Sequence, residues 1–177
     1  MLLVDQSGSM ATSVVYAGIL GCIMASLRSL KTRMIVFDTS VVDLTDHLND
    51  PVDLLFATQL GGGTDINRAL TYITPFVTSP SDTILVLISD LFEGGNQREM
   101  IQRLASLRAS GVQVISLLAL NDQGAPNFDK AIAAQLAQLD IPTFACTPDL
   151  FPELMSSALK KEDLHLWLGR HGVVRKN

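Results

Sequence analysis

The chain has 177 residues, 47% of them hydrophobic, and a net charge of −5, enough for one domain with a generous core and a poor balance for nucleic-acid binding, which depends on basic surface. No apolar run approaches the ~18 residues of a membrane span, and Met1 leads straight into a strand and an acid rather than a basic leader, so a cytoplasmic setting without membrane contact is expected. Cys22 and Cys146 form no CxxC and are expected as reduced thiols, not as a disulfide or a zinc site.

The first ten residues, Met1-Leu-Leu-Val-Asp-Gln-Ser-Gly-Ser-Met10, read as a short buried strand that ends at Asp5. So short an opening strand suggests a piece of a longer protein. Ala11 to Leu30 is apolar almost all round, and its length predicts a largely buried helix. Met34 to Phe37 reads as the second strand. Asp38-Thr-Ser40 is a turn, and Val41 to Leu44 a third strand. A link this short cannot carry a parallel crossover, so that pair is expected to be antiparallel. Leu48 to Gln59 has helical character, with Pro51 near its start.

Gly61-Gly-Gly-Thr-Asp65 opens into a helix expected over Ile66 to Val77, with Thr64 or Asp65 as its cap. The three glycines are read as supplying unusual dihedrals and a close approach to a ligand. Thr83 to Ser89 is a continuous apolar strand of the kind buried on both faces of a parallel sheet, and Asp90 ends it. A helix follows from Gln97 to Ser110, with Glu99 and Arg103 as an i,i+4 pair, and Gly111 stops it. Val112 to Leu120 is a strand. Phe128, Ile132, Leu136 and Leu139 mark a helix, Ile141 to Cys146 the last strand, and Asp149 to Lys160 and Asp163 to Leu168 two final helical segments.

This alternation predicts an α/β fold: an open sheet with helices on both faces. Right-handed crossovers then decide which loops share an end. Asp5, Ser7 and Ser9, then Thr64 and Asp65, then Asp90 all fall at the carboxyl ends of the strands, where open α/β sheets bind ligands. Asp5, Ser7 and Ser9 stand at i, i+2 and i+4 on a tight loop and can converge on one point. Hard cations such as Mg²⁺ take oxygen ligands in octahedral geometry, and such an ion removes the repulsion between crowded acids. Asp38 and Glu93 share the same edge and could tune the site. The triple glycine could also cradle a phosphate, but no P-loop lysine accompanies it.

DQSGSM, GGGTDI and LISDLFEGG together resemble the three site-forming segments of von Willebrand factor A (VWA) domains: the Asp-x-Ser-x-Ser motif, the threonine loop and the second aspartate. The resemblance covers essentially the whole chain, residues 1–168, with 169–177 as a short basic tail. It implies a Rossmann-like, mostly parallel six-stranded sheet in order 3-2-1-4-5-6, with strand 3 antiparallel. It also implies an intact metal-ion-dependent adhesion site. Ser7, Ser9 and Thr64 would bind Mg²⁺ (or Mn²⁺) through hydroxyls, and Asp5 and Asp90 directly or through water. The open coordination position would take an Asp or Glu from a protein partner. Intracellular bacterial members associated with MoxR-type AAA+ ATPases are the nearest group by composition, which makes such an ATPase the expected partner.

An interaction module, not an enzyme, is therefore expected. The alternative is a metal-assisted phosphoester hydrolase, with Asp5 and Asp90 orienting a metal-bound water. No histidine is expected beside the serines, so a Ser-His-Asp triad is not supported.

Overall fold

The computed structural model describes residues 1–27, 30–48, 61–120 and 127–171; the side chains of 11–18 and 25 fall outside that description. Six strands form one sheet: β1 (Leu2–Asp5), β2 (Met34–Phe37), β3 (Val41–Asp43), β4 (Ile84–Ser89), β5 (Gln113–Leu118) and β6 (Thr143–Ala145). Their order is β3-β2-β1-β4-β5-β6. Every neighbouring pair is parallel except β2 and β3. This is the expected Rossmann-like arrangement. β1 pairs with β2 on one side and with β4 on the other, so strand order reverses there, at the crevice between the ends of β1 and β4.

The strands are apolar because both faces of the sheet are covered. Leu2, Val4, Val36, Val86, Ile88, Ile115 and Leu117 pack on one side with α1 (Val14–Ser26), α5 (Phe151–Leu159) and α6 (Leu164–Arg170). Leu3, Ile35, Leu85, Leu87 and Val114 pack on the other with α2 (Ile66–Ile73), α3 (Gln97–Ala109) and α4 (Lys130–Gln138). Successive residues of one strand thus feed opposite cores, as the two-residue strand period requires.

Several boundaries differ from the sequence reading. The helix expected from Ala11 begins with a 3₁₀ stretch, Gly8–Ser13, and becomes α-helical only at Val14. Its exposed Ile19 shows that the burial is not all round. The helix expected to reach Val77 stops at Ile73 and continues as a 3₁₀ turn over Thr74–Phe76. Pro75 explains this: it has no N–H to donate, and its ring opposes a further α-turn. Glu99 and Arg103 do not pair directly. Asn67 stands between them, giving its Nδ2 to Glu99 (3.2 Å) and accepting Arg103 Nε (3.3 Å). The last helix runs to Arg170, into the expected tail. The helix expected over Leu48 to Gln59 lies outside the described residues, apart from its first residue, which is a turn.

Candidate metal centre

Three loops meet where β1 and β4 end. The first follows β1. Asp5 is fully buried, and its two oxygens have separate partners: the Ser7 N–H donates to Oδ1 (2.9 Å) and the Ser89 hydroxyl to Oδ2 (2.6 Å). The Ser7 amide closes the loop over its own aspartate, a local side chain-to-backbone turn. That closure leaves the Ser7 and Ser9 hydroxyls 3.2 Å apart, with Ser7 buried and Ser9 exposed.

The second loop, Gly61 to Asp65, is strapped down by three neighbouring segments. The Gly8 N–H donates to the Gly62 carbonyl (3.0 Å), the Asp65 N–H to the Asp38 carbonyl (2.9 Å), and the Gly94 N–H to the Thr64 carbonyl (2.9 Å). Thr64 is buried, and no described residue hydrogen-bonds its hydroxyl. Asp65 caps α2 by accepting the Arg68 N–H.

The unusual dihedrals expected of the three glycines are not found. Among the described residues only Gly111 is a glycine at positive φ. Gly62 is needed for proximity: a Cβ there would sit 2.8 Å from Asp38 Oδ2. Asp38 accepts the amides of Ser40 (2.6 Å) and Gly62 (3.1 Å). Burial pushes its pKa up, but these amides and those of Gly61 and Asp38 itself outweigh burial and hold it below the usual aspartate value. Asp38 therefore braces the glycine loop as an anion.

The third loop follows β4. Asp90 is buried and its Oδ1 accepts the Phe92 N–H (3.2 Å). Leu91, fully buried, has φ 64, a left-handed conformation that costs a non-glycine residue roughly 1–2 kcal/mol. The Ser89 hydroxyl accepts the Leu91 N–H (2.9 Å), which helps hold that conformation. Glu93 reaches across to α2 and accepts the Ile66 N–H (2.7 Å). Burial raises the Glu93 pKa and the Asp65 charge adds to this, while the amides of Ile66, Asn67 and Gly95 oppose it.

Burial likewise raises the Asp5 pKa, against the hydrogen bonds from Ser7 and Ser89; the neighbouring Asp90 charge raises it further. Two buried carboxylates, Asp5 and Asp90, stand at the ends of β1 and β4, and the Ser7 and Ser9 hydroxyls face each other on the first loop; these, with the buried Thr64, are hard-oxygen groups of the kind that Mg²⁺ or Mn²⁺ takes. Among the described residues no three His, Cys, Asp or Glu side chains are placed to hold a metal; this donor set has only two carboxylates. Asp5, Ser7 and Ser9 are brought together directly. Asp90 is tied to Asp5 through Ser89, and Thr64 through the two strapped loops.

Sequence reasoning missed Ser89. A serine that closes an apolar strand reads as part of the strand, and only the register, with Val4 opposite Ile88, carries it on to Asp5. The histidines lie elsewhere: His165 pairs with Asp140 and His171 with Glu153, and His47 follows β3, at the opposite pole.

A family model for the VWA domain containing CoxE-like protein matches residues 1–155. The chain belongs to this family. YehP of Escherichia coli (strain K12) is 38% identical to it over 148 residues, which are 84% of the chain but only 39% of YehP. The chain thus spans well under half the length of that curated relative. A solved aerotolerance-related membrane protein from Bacteroides fragilis NCTC 9343, with multiple mutations to serines, shares the fold at TM-score 0.69 and 17% identity, over 91% of this chain and 98% of that one. The manganese-loaded TRAP protein of Plasmodium vivax matches at TM-score 0.54 and 18% identity, over 75% of this chain and 61% of that one. No helix among the described residues of this VWA domain is long and apolar enough to cross a membrane.

Proposed function

We propose that this VWA domain binds Mg²⁺ (or Mn²⁺) through Asp5, Ser7, Ser9, Thr64 and Asp90, and uses the ion to take an Asp or Glu side chain from a protein partner. The observation that carries the proposal is the position of Asp5: a fully buried carboxylate whose pKa is raised by that burial and further by the Asp90 charge. A divalent cation relieves both penalties at once. The manganese in the TRAP protein of the same fold supports the choice of ion. The exposed Ser9, Gly61 and Gly62 leave the site's outer side accessible to a partner.

The partner's carboxylate would fill the sixth coordination position that five protein oxygens leave open in an octahedral shell. A MoxR-type AAA+ ATPase is our proposed source of that acid, by analogy with related bacterial systems. That Cys22 and Cys146 form no disulfide supports a reducing, cytoplasmic setting. We assign the site ion and partner binding rather than catalysis.

The test is the thermal unfolding midpoint in EDTA, Mg²⁺, Mn²⁺ and Ca²⁺ for the wild type and Asp5→Ala. An ion that binds only the folded state raises the midpoint with occupancy. A rise with Mg²⁺ or Mn²⁺ in the wild type alone supports the site; equal rises in both proteins refute it. Turnover of a generic phosphoester that depends on Asp90 would favour the hydrolase instead.

A further inference from the structure

Phe92 is 41% exposed beside the candidate metal centre. A single exposed aromatic is ordinary in itself; the way this one is held is not. Its own N–H is fixed to Asp90 Oδ1. The residue before it, Leu91, is fully buried. The residue after it, Glu93, donates its N–H to the Leu91 carbonyl (2.9 Å), closing a three-residue turn with Phe92 at the apex. The Glu93 carboxylate is in turn anchored on the first amide of α2. Phe92 thus projects from a turn tied down on both sides. The loops that meet at the site carry a bare outer edge: Gly8, Gly61, Gly62, Gly63, Gly94 and Gly95 are all exposed.

Among the described residues, the other exposed aromatics differ. Tyr72 and Phe76 pack on each other at 5.5 Å, and the Arg33 guanidinium covers Phe76 at 3.8 Å.

We infer that Phe92 is an apolar anchor for the partner, so that the segment bound here carries an Asp or Glu with a large apolar side chain close to it in sequence. The inference rests on the cation-dependent reading above and adds a second recognition element to it. The Phe92 N–H binds Asp90 Oδ1, which keeps Phe92 next to the site, and an extended partner segment rises about 3.3 Å per residue. A partner side chain that meets the ring therefore lies roughly one to three positions from the acid that meets the ion. A backbone held in place beforehand has less freedom to lose on binding, and aromatic residues, Phe among them, are enriched at interfaces. The glycine rim lets the partner's backbone come close enough for both contacts.

The test is selection of displayed random linear peptides, with Mn²⁺ or with EDTA, against the wild type, Phe92→Ala and Asp5→Ala. The thermal response of each protein to Mn²⁺ is measured alongside. Phe92→Ala should fold and respond to Mn²⁺ as the wild type does. The wild type should select, only with Mn²⁺, peptides that pair an acid with a neighbouring large apolar residue. Phe92→Ala should keep the acid, lose the apolar preference and bind those peptides roughly 10- to 100-fold more weakly. Mn²⁺-dependent acidic peptides with no apolar preference, or bound equally by Phe92→Ala, overturn the anchor and leave the cation reading intact. Peptides that need Phe92 but neither Mn²⁺ nor Asp5 overturn the cation reading and the acidic half of the inference. No selection by the wild type overturns both.

Discussion

Ser89 and Asp5, 84 residues apart in the chain, share a buried hydrogen bond of 2.6 Å from the Ser89 hydroxyl to Asp5 Oδ2. The same hydroxyl accepts the Leu91 N–H. One atom thus orients the first aspartate of the candidate site and supports the left-handed residue that follows the second. It joins the ends of β1 and β4 at the point where the strand order reverses.

Ser89→Ala removes both bonds and leaves a buried carboxylate oxygen and a buried amide unpaired. A loss of roughly 2–4 kcal/mol is expected by urea unfolding, together with a weaker response to Mn²⁺. A variant as stable as the wild type would show that the Ser89 hydroxyl does not support this loop.

Gly94→Ala tests the strapping of the threonine loop. The added Cβ would lie 2.8 Å from the Thr64 carbonyl oxygen, which accepts the Gly94 N–H. Backbone must move to accept it, at a cost of about 1–3 kcal/mol, and Thr64 moves too. Mn²⁺ affinity by calorimetry should fall, whereas Gly61→Ala, whose Cβ meets nothing within 4 Å, should leave it unchanged. Equal affinity in Gly94→Ala would argue that Thr64 is not a ligand.

The raised pKa of Asp5, caused first by burial and opposed by its hydrogen bonds, has a definite sign in stability. In the metal-free fold the native state keeps the Asp5 proton to higher pH than the unfolded chain does. Between the two pKa values the native state binds more protons, so the Asp5 contribution to stability falls as pH rises. Asp5→Asn has no such charge to bury. In EDTA it should therefore be more stable than the wild type at neutral pH, and the gap should close as pH drops through the Asp5 titration. In Mn²⁺ the order should reverse, because only the wild type gains from the ion. Parallel pH profiles in EDTA would contradict the assignment.

Away from the site, Ser116 lies in the middle of β5, buried, with no hydrogen-bond partner for its hydroxyl among the described residues. Ser116→Ala removes an unpaired polar group for a small change of volume. Relief of roughly 1–2 kcal/mol is expected, and with about 2–4 °C per kcal/mol at this chain length a clear rise in Tm should follow. A fall in Tm would mean that the hydroxyl has a partner, such as a buried water.

Much of this architecture was legible because apolar periodicity changes sharply along the chain. TILVLIS between Asp82 and Asp90 has the continuous apolar character of a strand covered on both faces, and the three-residue turn at 38–40 forces the antiparallel edge. Asp5, Ser7 and Ser9 were legible because they are adjacent, so their convergence is a matter of local geometry. Ser89 was not, because its partner is set by strand register across the sheet. Pro75 was a visible stop to the α2 helix that the apolar spacing of Ile66, Leu70, Ile73 and Val77 masked. The Glu99–Arg103 pair gave way to Asn67, a residue of another helix, because tertiary packing supplied closer partners than the helix itself.

The measurement that bears most directly on the central claim is Mn²⁺ binding followed by electron paramagnetic resonance, which distinguishes free from bound ion, in the wild type, Asp5→Ala and Thr64→Val. The account predicts one bound Mn²⁺ per wild-type chain, competed by Mg²⁺, lost in Asp5→Ala and weakened in Thr64→Val. No bound ion in the wild type at millimolar Mn²⁺, or equal binding in Asp5→Ala, would contradict it.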